Sequence, residues 1–201
     1  MTVTIDPWRI TGQLEIDSYV GRWVELAVLL VNCLAVTTAH GRAVSPPRSG
    51  AERLTALTAR LPASATLTGA DADGLAEVAA ELRPVFGADD GIHGAATRLN
   101  DLLIRHRAVP NLHGHPDQPP VLAFHPADAT LVDAWAADMG TALAMVIGVG
   151  QSARLGACQA GTCSLVFFDT TRNASRRFCD LSCQNRAKAS AYRARRAGRT
   201  P

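Results

Sequence analysis

The residues with the clearest chemistry sit in the last fifth of the chain, as Cys158-x4-Cys163-x15-Cys179-x3-Cys183. Two close cysteine pairs separated by a short stretch are how a small module holds one metal ion. Tetrahedral zinc takes four thiolates at ~2.3 Å, and four sulfurs close its coordination sphere, which leaves no position for a reactive water. The spacing therefore predicts one structural Zn²⁺ rather than a catalytic one. Two other readings use the same residues: an iron–sulfur cluster, which four thiolates also hold, and redox disulfides, which a reducing compartment disfavours.

The residues around the cysteines say how they would be positioned. Gln159-Ala160-Gly161-Thr162 joins the first pair, with the glycine expected to let the chain turn back. Asp180 is placed to cap a helix starting at Leu181. That puts Cys183 in the first turn and Cys179 just before it, where backbone N–H groups and the positive helix end favour thiolates. Leu165–Phe168 and Arg176–Phe178 read as two short strands, with polar Thr170–Ser175 as the turn between them. Knuckle, hairpin and helix in that order make a treble-clef-like arrangement. Asp169 is expected to fix the turn after Phe168 or to pair with an arginine. About 45 residues with few aromatics bury too little apolar surface to fold alone. Structural zinc contributes roughly 10–16 kcal/mol in such peptides.

Charge is divided unevenly. Residues 1–171 carry 11 arginines against 17 acidic residues, a net of −6; residues 172–201 carry eight arginines, one lysine and one aspartate, a net of +8. A basic end behind a metal module points to a polyanion partner. On a helix over Leu181–Ala197, Lys188, Tyr192, Arg195 and Arg196 fall on one face and Arg186 and Arg193 on another. Ala187, Ala191 and Ala194 make a third face where small residues permit close packing. Cations interleaved with one aromatic suit a phosphate backbone. The expected nucleic-acid contacts are Arg176, Arg177, Arg186, Lys188, Tyr192, Arg193, Arg195, Arg196 and Arg199, the last in a tail beyond Gly198. Arg176, Arg177 and Arg186 have a second reading. Four thiolates around Zn²⁺ sum to −2, and these cations could offset that charge.

The rest of the chain must position this module. Apolar residues make up 47% of the sequence, so a sizeable core is expected. Helical periodicity predicts helices over about Val20–Val36, Ala51–Leu61, Asp73–Val85, Asp90–Arg107 and Asp128–Gly148, with Asp128 as an N-cap. The first is apolar nearly all round and should be central. Val109–Leu112 and Pro120–Phe124 are expected to pair as a hairpin. The fold class read from this is α+β: a mainly helical domain over 1–150 with a small β element, then a zinc finger over 151–201. Cys33 is expected as a core thiol. His113 and His115 sit in turn-like sequence, and His40, His93 and His125 show no partner pattern. No phosphate loop, nucleophile elbow or paired-carboxylate motif is present, so no enzyme is expected. No leader or bilayer-length apolar run is read, and the expected location is the cytoplasm.

Cys163-x3-Phe167-x-Asp169, Asn173–Cys179 and Cys183-Gln184-Asn185-Arg186-Ala187-Lys188 resemble the CGNR zinc-finger family. The family's Cys-Gly-Asn-Arg tetrad stands here as Cys183-Gln184-Asn185-Arg186. Gln184 replaces its glycine, and Phe178 stands where tryptophan is usual. The upstream order, with Leu30-Val31-Asn32 in an apolar first helix, is similar to that family's N-terminal ABATE domain. The family is regarded as stress-induced transcription regulators. The resemblance thus implies DNA binding through the finger; the helical domain is then expected to sense an effector or mediate association, a homodimer fitting a regulator with two half-sites. RNA binding and a protein-interaction adaptor role are the alternatives.

Overall fold

The computed structural model describes residues 13–62, 66–88, 91–114 and 119–197. Its first element, α1 (Gln13–Leu34), is the central helix expected from its apolar sequence. Val24, Ala27, Leu30, Val31 and Leu34 are buried, and the helix lies against the third and fifth helices. It begins earlier than the apolar run alone indicates, within the more polar Gln13–Ser18 stretch.

The next helices start where a side chain satisfies the free N–H groups of a first turn. Ser49 and Glu52 form a reciprocal capping box at the head of α2 (Gly50–Thr58). Thr68 and Asp71 do the same for α3 (Gly69–Leu82), which therefore begins four residues before Asp73. Asp73 lies inside the helix and pairs with Arg53 across to α2. Pro84 terminates α3 through a short 3-10 turn, Arg83–Val85. After α4 (Gly91–Arg105) comes α5 (Leu131–Gly148). Thr130, not Asp128, caps α5: its hydroxyl accepts the Asp133 N–H, whereas Asp128 lies 4.0 Å from Arg107.

The five helices close over one core that includes Leu30, Leu75, Leu82, Phe86, Leu99, Leu102, Met139 and Leu143. Helices α4 and α5 approach so closely at Gly140 that a Cβ there would lie 2.7 Å from the Leu102 side chain. By length and apolarity α5 could cross a bilayer, but Ala136, Ala137, Met139, Ala142 and Leu143 are buried in this core.

Three antiparallel pairs complete a mixed α+β fold. Strands β1 (Thr38–Ala39) and β2 (Arg42–Ala43) turn through His40 and Gly41, whose φ values are +50° and +80°. Two successive positive φ angles make the tight turn favoured in two-residue hairpins. Strands β3 (Asn111–His113) and β4 (Val121–Ala123) form the expected hairpin. The third pair departs from expectation. Strand β6 (Val166–Phe168) pairs with β5 (Leu155–Ala157), upstream of the first cysteine, in the register Leu155↔Phe168. Arg176–Phe178 is not a strand. Its backbone meets the knuckle through one bond, from the Gln159 N–H to the Arg177 carbonyl. The order is therefore strand, knuckle, strand, loop and helix, ending in α6 (Leu181–Ala197).

The β5–β6 pair is packed into the helical body. Leu155 and Val166 belong to the same buried cluster as the helices. Asn32, a polar residue in the otherwise apolar last turn of α1, bonds both backbone groups of Val166: its amide donates to the carbonyl at 2.9 Å and its oxygen accepts the N–H at 2.8 Å.

Candidate metal centre and basic helix

The four cysteines converge. The knuckle loop leaves β5 at Cys158 and turns through the Cys163 N–H to Ala160 carbonyl bond. Gly161 is not needed for its conformational freedom: it lacks a positive φ, and a Cβ there would meet nothing within 4 Å. At the other side, Asp180 caps α6 as expected, its carboxylate accepting the Cys183 N–H at 2.8 Å. That bond, chiefly, holds the Asp180 carboxyl below the usual carboxylate range.

All four Sγ atoms lie within 4.8 Å of one another. Cys163 and Cys179 are 3.8 Å apart, and Cys179 and Cys183 are 3.4 Å apart. Four sulfurs at ~2.3 Å from a common tetrahedral centre would stand about 3.8 Å apart, so the set fits one ion of zinc's size. Cys183 is fully buried, Cys158 and Cys163 are nearly so, and Cys179 is partly open. Burial, then the neighbouring sulfurs, push the Cys179 thiol well up. Sulfurs this crowded are accommodated as thiolates when a cation sits among them. Cys163 is held below its ordinary value: burial opposes ionisation, but the backbone N–H groups of Leu165 and His40 and the nearby thiols outweigh it.

The three arginines nearest the centre are engaged by the finger itself. Arg186 donates to the Cys183 sulfur at 2.9 Å. Arg176 donates to the carbonyls of Phe178 and Cys179 and lies over the Phe167 ring at 4.5 Å. Arg177 donates to the Gln159 side chain at 2.6 Å. These bonds fit the second reading, in which the cations offset the −2 charge of a four-thiolate centre, most directly for Arg186, while Arg176 and Arg177 stay exposed. Asp169 is fully buried and fixes the turn as expected, accepting the Thr171 N–H and hydroxyl and the Arg176 N–H. These donors outweigh burial and hold its carboxyl below the ordinary range.

The remaining candidates stand on open helix. Residues 188–196 of α6 are all exposed, so Lys188, Tyr192, Arg193, Arg195 and Arg196 face solvent, as do Ala191 and Ala194. Of the alanine face only Ala187 is half-buried; alanine also supports this helix through its intrinsic preference. Arg195 and Arg196 in the last turn suit the negative helix end. Arg199 lies outside the described residues.

The sequence reading missed two sets of partners. His40 was expected to have none, yet its Nδ1 lies 3.1 Å from Asp180 and 3.9 Å from the Cys183 sulfur. The β1–β2 turn reaches the knuckle through Gly41 N–H to Thr162 carbonyl and through Thr38 to Ser164. The His40-Gly41 dipeptide was the available signal for a turn, but nothing local indicated its target. Asp138 is the second case. Buried in α5, it accepts the Tyr19 hydroxyl at 2.8 Å, the Phe124 N–H at 2.7 Å and contacts His125 Nδ1 at 3.1 Å. His113 packs edge-on to His125 with ring centroids 4.6 Å apart, and His115 lies outside the described residues. Cys33 is half-buried beside the core rather than enclosed, and burial pushes its thiol up.

This arrangement defines a four-sulfur metal-binding module. Residues 154–196 match the family model of the CGNR zinc finger. The match covers the β5–β6 pair, all four cysteines and nearly all of α6, and begins after the helical body ends. No curated protein matches the chain.

Proposed function

We propose that the protein is a DNA-binding transcription regulator in which one structural zinc ion fixes the pose of α6 and that helix contacts the duplex. The observation that carries the reading is the exposed run from Lys188 to Arg196: four cations and one tyrosine on a helix with no acidic residue. At 1.5 Å per residue its 17 residues extend about 25 Å, long enough to lie along a DNA groove. The ligand set is closed, so the ion organises structure and performs no reaction, and the protein is not an enzyme in this reading. Zinc is the ion favoured by four thiolates at these separations.

The helical body, ABATE-like in this reading, senses a small effector or mediates homodimerisation. A groove of about 990 Å³ supports the first role. Leu29, Cys33, Val36, Arg48, Arg60 and Leu165 are among its walls, so it touches both the body and the finger. The protein acts in the cytoplasm without membrane attachment.

Duplex binding by α6 should weaken steeply with salt, because each neutralised phosphate contributes a slope of about −0.9 in log K against log salt. Replacing Arg195 and Arg196 with alanine should lower the magnitude of that slope by about 2. An unchanged slope would remove α6 from the interface. Structured RNA outcompeting duplex DNA would move the reading to RNA, and no affinity at physiological salt would leave an adaptor role.

A further inference from the structure

A second donor set overlaps the first. His40, Cys179, Asp180 and Cys183 each offer one ligand atom, and these atoms also lie within 4.8 Å of one another. We propose that this set is a second divalent-cation site, in which the Cys179 and Cys183 thiolates bridge to a second ion completed by His40 Nδ1 and the Asp180 carboxylate.

The separations carry the assignment. With sulfur at ~2.3 Å and nitrogen or oxygen at roughly 2.0–2.2 Å, a tetrahedral ion sets its donors about 3.8 Å apart for two sulfurs, 3.5 Å for sulfur with nitrogen or oxygen, and 3.3 Å for nitrogen with oxygen. The structure gives 3.4 Å for Cys179 to Cys183 and 3.1 Å for His40 to Asp180. It gives 3.9 Å for His40 to Cys183 and 3.9 Å from Cys179 to Asp180 Oδ1, whereas the contact of Asp180 with His40 is through Oδ2. Each lies within about 0.4 Å of its ideal separation. The two sets share one edge, Cys179–Cys183, with Cys158 and Cys163 completing one and His40 and Asp180 the other.

Charge favours the same occupancy. Four thiolates and one divalent ion leave −2, and Asp180 adds another negative charge beside them. Arg186 touches the Cys183 sulfur, but Arg176 is directed to carbonyls. A second divalent ion would bring the thiolates and Asp180 from −3 to −1. His40 and Asp180 are about half exposed, so this ion would exchange with solvent far more readily than the enclosed one. The β1–β2 turn then supplies a ligand from outside the finger, joining the helical body to the metal centre.

The inference rests on the four-sulfur site holding its own ion, and stoichiometry separates the two. The full chain would be saturated with zinc, desalted and analysed for bound metal. Two ions per chain are expected, with the second removed by a weak chelator at concentrations that leave the first. His40→Asn keeps a residue tolerant of positive φ while removing the imidazole, and Asp180→Asn keeps the helix cap. Each should reduce the count to one. In a cobalt titration, the tetrathiolate absorption should persist in both variants while the spectral change at the second equivalent disappears. One ion in the wild-type chain at saturation, or two retained in His40→Asn, would overturn the second site; no bound metal would also overturn the first.

Discussion

The helical body and the finger are held together by different physics. The body closes five helices over an apolar core, with Phe86, Leu30, Leu75 and Met139 fully enclosed. Around the cysteines, the buried residues of the corresponding cluster are Cys158, Ala160, Cys163 and Cys183, with Phe178 packed alongside. Apolar burial at about 25 cal/mol per Å² can carry the first region; so small a cluster cannot carry the second, and in the proposed reading an ion does. The boundary between the two regimes falls inside the matched finger. Strands β5 and β6 join the helical core through Leu155, Val166 and Asn32. The knuckle, the Thr170–Asp180 loop and α6 lie on the metal-dependent side.

Chelation gives the largest expected effect on this contrast. Removing roughly 10–16 kcal/mol of metal-binding energy should unfold the knuckle and α6. Hydrogen exchange should show lost protection over residues 158–164 and 170–197, while α1, α3, α5 and the β5–β6 pair stay protected. Loss of protection in Val166–Phe168 as well would place that strand with the metal. Asn32→Ala tests the joint from the other side. It leaves the buried Val166 N–H and carbonyl unpaired, at about 1–3 kcal/mol each, so the body should lose about 2–6 kcal/mol in denaturant melts. An unchanged melt would show that the hairpin is attached by other contacts. The smallest stability effect belongs to exposed α6. Replacing Arg195 and Arg196 should leave thermal unfolding within about 0.5 kcal/mol of wild type, even as the salt dependence of duplex binding flattens.

Much of this division was legible in the chain. Cysteine spacing located the donor set, and Asp180 three residues before Cys183 announced the cap. Helical periodicity placed all five helices of the body, although α3 starts just after Thr68, which shares a capping box with Asp71, rather than near Asp73, and α5 is capped by Thr130 rather than Asp128. The misplaced hairpin has a physical cause. Arg176–Phe178 follows a polar turn-like stretch and so reads as a return strand, but Arg176 bends back to local carbonyls and onto Phe167. Leu155–Ala157 is too short and small-sided to announce itself. Gly156 is needed there because the Phe167 ring packs against it, with 2.4 Å to a would-be Cβ. Contacts that depend on tertiary placement were invisible: Asn32 to Val166, His40 to the metal centre, and Tyr19 to Asp138.

In the proposed reading, one ion gathered by four sulfurs holds a cationic helix in a pose that binds duplex DNA. Duplex binding measured across a range of salt, with zinc-loaded and metal-stripped protein side by side, tests it most directly. The loaded protein should bind with a steep salt slope, and the stripped protein should lose most of its affinity and recover it when zinc is restored. Equal binding by both forms, with the same slope, would contradict the claim.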